Sequence, residues 1–322
     1  MINRILISTL ALLTFQISFS QQLARTYYTK DGKITKNTKE AYYYRMQQLL
    51  ENTQVKIMEK YIENDQIKLL GTQHSFNVEH YIGQKIESYE NGKIKSKELY
   101  SQDGKLIDTA VYYYPNGQLK LMFQYPFVNN NNQTKVTDTL ILVYQDSLGE
   151  RLLVEGNGYA EFNNGYTIEK GNFKNHKRVG TWTGSFQRGK YTFTETYDNG
   201  TLLSGLSKDS ANHQYPYDQD TFEKEPEYLN GGIQEFRRKV ASLFHYPHQA
   251  IQNQVQGTLE LSFVINTQGE VSREKVKRDL GHGTAEAGLS ALKRAGKWTP
   301  GIQRGVPVNV QYSIPLRLQT TN

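Results

Sequence analysis

Through most of the chain, apolar and polar residues alternate over short runs, and the runs are broken by Asn-Gly or Asp-Gly. Tyr89-Glu90-Asn91-Gly92-Lys93, Tyr100-Ser101-Gln102-Asp103-Gly104-Lys105 and Tyr114-Pro115-Asn116-Gly117-Gln118 share an aromatic, a turn pair and a following polar residue. Their glycines lie 12 and 13 residues apart. The theme returns at Phe162-Asn163-Asn164-Gly165, Phe186-Gln187-Arg188-Gly189 and Tyr197-Asp198-Asn199-Gly200, with Gly171 to Asn175 and Gly180-Thr181-Trp182 as a further unit. Period-two alternation is the signature of a half-buried strand. Asn-Gly and Asp-Gly supply tight hairpin turns, and aromatics pack across neighbouring strands. Residues 77–206 therefore predict an extended antiparallel meander of short hairpins, with Asn129 to Asn132 in a solvated loop. Upstream, residues 21–76 predict more β structure. Tyr28 to Gly32 leaves a strand through an Asp-Gly turn, and Val55 to Leu70 forms two strands around Asn64-Asp65. Periodicity leaves Glu40 to Leu50 open between a short helix and a strand.

After residue 227 the pattern changes. Ile233, Phe236, Val240 and Leu243 recur at helical spacing, which predicts a helix over Gly232 to Phe244 with Arg237-Arg238-Lys239 pointing mainly away. Tyr246-Pro247 ends it and starts a short helical turn. Leu259, Leu261 and Phe263 alternate with Thr258, Glu260 and Ser262, a strand running to Ile265. Thr267-Gln268-Gly269 is a tight turn, and Val271 to Arg278 is a charged returning strand. Thr284 is expected to cap a helix through Lys293 with Leu289 and Leu292 inward. Trp298 and Pro300 close that helix. Val306 to Leu318 is expected as one long last strand, with Val308, Val310, Tyr312 and Ile314 on its core face and Asn309, Gln311 and Ser313 on its wet face.

At these residues the chain resembles the C-terminal domain of TonB-type energy transducers. The anchors in order are Tyr246-Pro247, Ala250, Gly257, the apolar run ending at Ile265, Gly269, Val271, Val276, Ala291-Leu292, Trp298-x-Pro300, Gly305-x-Pro307-Val308 and Pro315-Leu316-Arg317-Leu318. The lead-in Pro226-Glu227-Tyr228 with Gly231-Gly232 is similar to the Bacteroidetes-type form. The sequence departs from the family at Leu280 to Gly288, where a glycine-rich stretch replaces the usual acidic lead into the helix. The hairpin units upstream resemble MORN repeats of the variant found in antitoxin-type proteins.

The expected fold class is an α+β C-terminal domain, a three-stranded antiparallel sheet with two helices, after an N-terminal mainly antiparallel β meander. The expected segments are an export signal (1–20), a β-rich region (21–76), hairpin repeats (77–206), a polar linker (207–227) and the TonB-like domain (228–322). TonB-type transducers usually carry a long proline-rich segment and an N-terminal membrane anchor. Here the hairpin region occupies the place of the first. Arg4, the apolar run Ile5 to Phe15 and Ser18-Phe19-Ser20 read as a cleavable signal, which places the protein in the periplasm. The apolar run is short for a spanning helix, although left uncleaved it would anchor the chain in the inner membrane.

The 322 residues carry 38 Lys and Arg against 32 Asp and Glu, a net charge of +6. Charges of both signs are interleaved, so no nucleic-acid partner is expected. The absence of cysteine excludes disulfides, thiol catalysis, thiolate metal sites and an N-terminal lipidated Cys. His245 and His248 are separated by a proline and lack a nearby carboxylate, so they do not make a metal set. Gly281-x-Gly283 is a helix lead-in rather than a phosphate loop, Glu223 and Glu225 sit in the expected linker, and no hydrolase or nucleotide motif occurs. The chain is read as a binding protein, not an enzyme, with no cofactor and no metal.

The resemblance implies contact with the extended N-terminal segments of TonB-dependent outer-membrane receptors in transmembrane transport. Those segments would add a strand to the edge formed by Val306, Val308, Asn309, Val310, Gln311, Tyr312, Ser313 and Ile314, framed by Pro307 and Pro315. Inner-membrane motor proteins or peptidoglycan are further possible partners. The rival readings are an edge covered by a homodimer partner or by the chain's own repeats, and an envelope scaffold or adaptor that transmits no force.

Overall fold

The computed structural model describes residues 24–50, 53–76, 80–130 and 133–319. The expected signal segment lies outside them. No helix among the described residues is long and apolar enough to cross a membrane. The chain divides into two compact units, one ending at Glu155 and one beginning at Gly156.

The first unit is an antiparallel meander. Its strands are β1 (Arg25–Tyr28), β2 (Ile34–Thr35), β3 (Tyr43–Leu49), β4 (Val55–Tyr61), β5 (Ile67–Gln73), β6 (Tyr81–Ser88) and β7 (Ile94–Tyr100). They continue as β8 (Leu106–Tyr113), β9 (Leu119–Tyr125), β10 (Phe127–Asn130), β11 (Gln133–Val136), β12 (Leu140–Gln145) and β13 (Arg151–Val154). The open stretch at Glu40 to Leu50 is thus a strand, paired with β1 and β4. Strands β3 to β9 pair in sequence order, β12 returns to β9, and β10 with β11 forms a separate hairpin.

The repeated turns share one geometry. Gly92 N–H donates to Tyr89 O and Tyr89 N–H to Lys93 O, and the same pair of bonds recurs at Ser101, Tyr114 and Asp146. These are three-residue loops whose last residue is a left-handed glycine, with φ of 76° at Gly92 and 88° at Gly117. The repeat also ties one turn to the next. Tyr61, Tyr89 and Tyr114 hydroxyls donate to Ser88, Tyr113 and Gln145 carbonyls at 2.9, 2.8 and 2.9 Å. Asn64, Asn91 and Asn116 amides donate to Glu90, Pro115 and Ser147 carbonyls at 2.7, 2.8 and 3.0 Å. The Tyr-and-Asn pattern of the sequence is therefore a hydrogen-bonded ladder as well as a turn code.

The second unit starts with another meander, β14 (Asn157–Asn163), β15 (Ile168–Lys174), β16 (Lys177–Phe186), β17 (Tyr191–Asp198), β18 (Thr201–Lys208) and β19 (Gln214–Tyr217), paired in order. Its non-turn glycines face aromatic rings across the ladder. A Cβ on Gly171 would lie 2.5 Å from Trp182, and one on Gly205 would lie 2.1 Å from Tyr217, so only glycine admits those rings. Two short strands follow, β20 (Glu223–Lys224) and β21 (Glu227–Tyr228). The stretch expected as a polar linker, 207–227, contains the end of β18, all of β19 and β20 and the start of β21, and Tyr217 within it is buried.

The remaining elements are α1 (Gly232–Leu243), α2 (His248–Gln252), β22 (Gly257–Ile265), β23 (Val271–Arg278), α3 (Thr284–Arg294), β24 (Trp298–Thr299), β25 (Gly301–Gln303), β26 (Val306–Val308) and β27 (Val310–Leu318). Strands β23, β22 and β27 form the expected three-stranded antiparallel sheet. Phe236 and Val240 of α1 and Ala291 and Leu292 of α3 close its core with Leu259, Leu261, Phe263, Ile265, Trp298 and Ile314. Thr284 does not cap α3. Gly283 holds the cap position, and the Thr284 hydroxyl turns back to within 2.9 Å of Asp279 Oδ1 and 2.8 Å of Gly281 O.

The expected single strand from Val306 to Leu318 is two strands. β26 pairs with β25, whereas β27 pairs with β22. The physical reason is that the two pieces serve different cores. Val306 is buried with Phe186, Tyr191 and Phe193 of the preceding meander, while Ile314, Leu316 and Leu318 belong to the helix-covered core. Exposed Asn309 is the break between them.

Candidate partner-binding edge

Strand β27 pairs with β22 without interruption, from Gly257↔Leu318 to Ile265↔Val310. Its apolar residues point inward by alternation: Ile314, Leu316 and Leu318 are buried, while Gln311, Pro315 and Arg317 are exposed. Among the described residues no strand pairs with its other edge. Pro315 sets the parity of that edge. It has no N–H to give, so a place inside an unbroken ladder requires its nitrogen to face away from β22. Residues of the same parity, Gln311, Ser313 and Arg317, then turn their backbone N–H and C=O groups to the open side.

The opposite edge of this sheet is built differently. β23 carries Arg273, Lys275, Lys277 and Arg278, all exposed. Its ladder with β22 shifts register twice, and Arg273 sits at φ 51°. Charge and bulges are the usual defences of an edge against strand addition. From Val310 to Pro315, β27 has neither.

Aromatic packing holds β27 from below. The Tyr312 ring stacks on Phe263 at 5.9 Å and lies 5.4 Å from Trp298, which meets Phe236 edge-on at 4.8 Å. Burial, with the Glu225 carboxylate beside it, pushes the Tyr312 phenol up. Tyr228 completes the cluster, donating its hydroxyl to Ala295 O at 2.6 Å.

A second constellation holds the β25–β26 hairpin. Arg304 and Gly305 form its two-residue loop, at φ 49° and 73°. The Arg304 side chain is buried. Its Nε donates to Glu195 Oε1 and its Nη2 to Glu169 Oε2, both at 2.8 Å, and the guanidinium lies 3.9 Å from the centre of the Phe193 ring. Glu195 also accepts from Tyr217 at 2.7 Å and Tyr197 at 3.0 Å, and Arg178 pairs with Glu169. Ser207 donates to Arg304 O, and Arg304 N–H donates to Phe222 O. Burial alone would raise the Glu169 carboxyl, but Arg178 and Arg304 outweigh it and hold it below its ordinary value. Burial would likewise lower Arg304, and the two glutamates reverse that. Burial and the Glu195 carboxylate push the Tyr197 phenol up to about 12.

The structure thus brings Val310, Gln311, Tyr312, Ser313 and Ile314 together on one open strand. Val306 and Val308 lie on the hairpin, and Asn309 between the two. Sequence reasoning missed Arg304 and its glutamates. One signal was available: in the alternation Tyr191, Phe193, Glu195, Tyr197, a carboxylate occupies an inward position and calls for a buried cation.

A family model described as Gram-negative bacterial TonB protein C-terminal matches residues 242–318. The match begins at the end of α1 and finishes with β27, so it contains the whole three-stranded sheet and its open edge. No curated protein matches the chain. The match supports a TonB-like envelope protein.

Proposed function

We propose that this is a periplasmic, TonB-like binding protein, not an enzyme, whose β27 edge receives an extended N-terminal segment of a TonB-dependent outer-membrane receptor. The observation that carries the reading is the open, uncharged and unbulged edge at Val310 to Pro315, inside the TonB-matched stretch, on a sheet whose other edge is defended. Strand addition draws much of its affinity from backbone hydrogen bonds and tolerates varied partner sequences. An N-terminal signal would deliver the protein to the periplasm. The upstream hairpins, read as MORN-like repeats, would present the domain.

An adaptor that transmits no force is the second reading. Arg304 favours it, because the buried ion pairs fix the hairpin to β15 and β17 and make the preceding meander part of the same body. In this reading the partner is another envelope protein or peptidoglycan.

The test is calorimetry with peptides from the N-terminal segments of receptors of the same organism. Gln311→Pro removes an N–H from the open side and is expected to abolish binding with the melting temperature little changed. Gln311→Ala deletes only an exposed side chain and is expected to bind as the parent does. Peptide binding retained by a folded Gln311→Pro variant would refute the edge reading.

A further inference from the structure

The open edge of β27 does not end in featureless solvent. Beyond Pro315 it borders a groove of about 430 Å³ between the strand and the last turns of α1, lined by Arg237, Arg238, Phe244, Tyr246, Leu316 and Arg317 among others. Three arginines line this one small concavity together with aromatic and aliphatic residues. Arg238 pairs with Glu235 on the helix surface. For Arg237 and Arg317 no carboxylate partner occurs among the described residues, and Arg237 Nε is buried without an acceptor. A buried N–H of a charged group left unmet is costly, so an acceptor supplied from outside would gain more here than at an exposed arginine. Arg237 and Arg238 also precede the stretch matched to the TonB family, so the groove's charge is in large part this chain's own.

We infer that this groove is a carboxylate subsite, which takes an acidic side chain flanking the segment that adds to β27. The inference rests on the edge reading above. Its occupant is an extended peptide with an Asp or Glu beyond its pairing stretch. The spacing follows from strand geometry. Arg317 lies six positions after Gln311, about 20 Å along the strand at roughly 3.3 Å per residue. An acid about five or six residues from the residue opposite Gln311 reaches the groove. A planar guanidinium fork suits a carboxylate better than an ammonium does, which fits three arginines and no lysine in the lining.

The experiment uses the full chain and two fluorescein-labelled synthetic peptides with the same alternating Val-Thr core. One carries Glu at the fifth and sixth positions on both sides of the core's centre, the other Gln at the same places. Fluorescence anisotropy at low salt is expected to show the Glu peptide binding about tenfold more tightly, as a charge-assisted contact implies. That advantage should shrink as salt is raised and vanish in the double variant Arg237→Gln with Arg317→Gln. The Gln peptide should bind parent and double variant equally, which also reports that the variant keeps its fold. Equal binding of the two peptides to the parent, with both lost in Gln311→Pro, would overturn the carboxylate subsite and leave the edge reading standing. Failure of both peptides to bind would overturn the edge reading and the subsite with it.

Discussion

The two outer strands of the C-terminal sheet share the same central partner, β22, and have little else in common. β23 meets solvent with four exposed cations and a ladder broken by two register shifts. β27 meets it with a straight nine-residue ladder and, from Val310 to Pro315, no charge. A sheet edge is a template for any extended chain, and folded proteins normally blunt it. That one edge is blunted twice over and the other is left plain teaches that exposure is selective here. The same contrast separates β27 from β26. β26, paired on one side with β25, is only three residues long, and its Val306 is sunk among Phe186, Tyr191 and Phe193.

The largest expected effect comes from releasing that hairpin. Arg304→Ala leaves Glu195 buried among Tyr197 and Tyr217 without its cation. Breaking a buried pair from one side costs about 3–5 kcal/mol. The melting temperature of the second unit should fall, followed by the fluorescence of Trp182, which Arg178 covers at 4.1 Å. The parent should show an acid limb of its own. Because the folded Glu169 carboxyl titrates below its ordinary 4.5, its contribution is complete above that pH and is lost as pH falls through the lower folded value. In Arg304→Ala this limb should be shallower, since Glu169 keeps only Arg178. An unchanged melting temperature in Arg304→Ala would show that the hairpin needs no pin.

A smaller effect is expected from disarming β23. Replacing Lys275 and Lys277 by Thr removes two charges from a defended edge and should raise the apparent mass with concentration in sedimentation experiments, while monomer stability changes by less than about 0.5 kcal/mol. If the double variant stays as monomeric as the parent, the bulges alone defend β23.

Much of this architecture was legible in the sequence, because it depends on local periodicity. The alternation in Leu259 to Ile265, the helical stripe from Ile233 to Leu243 and the glycine-marked turns each report on neighbours a few residues away. The split of the last strand was not legible. It depends on Val306 and Arg304 meeting residues far earlier in the chain: Arg304 bonds Ser207, Glu195 and Glu169 across sequence separations of 97, 109 and 135. Continuous apolar alternation from Val306 to Leu318 looks the same whether it serves one core or two. The stretch read as a linker shows the same dependence on distant partners. Residues 207–227 are polar in composition, yet Tyr217 and Phe222 among them pack against Trp182 and its neighbours. The groove beside α1 was invisible because it needs Arg237, on a helix, and Arg317, on the last strand, to be neighbours.

The central claim is that the backbone of β27 is free on one side and that a partner pairs with it there. Amide hydrogen exchange followed by nuclear magnetic resonance reads this residue by residue. In the isolated protein at low concentration, the N–H groups of Val310, Tyr312 and Ile314 are expected to be protected by β22, and those of Gln311 and Ser313 to exchange quickly. Adding a receptor-derived peptide should protect Gln311 and Ser313 while β23 amides stay as they were. Protection of Gln311 and Ser313 in the free monomer, or new protection appearing on β23 instead, would contradict the account.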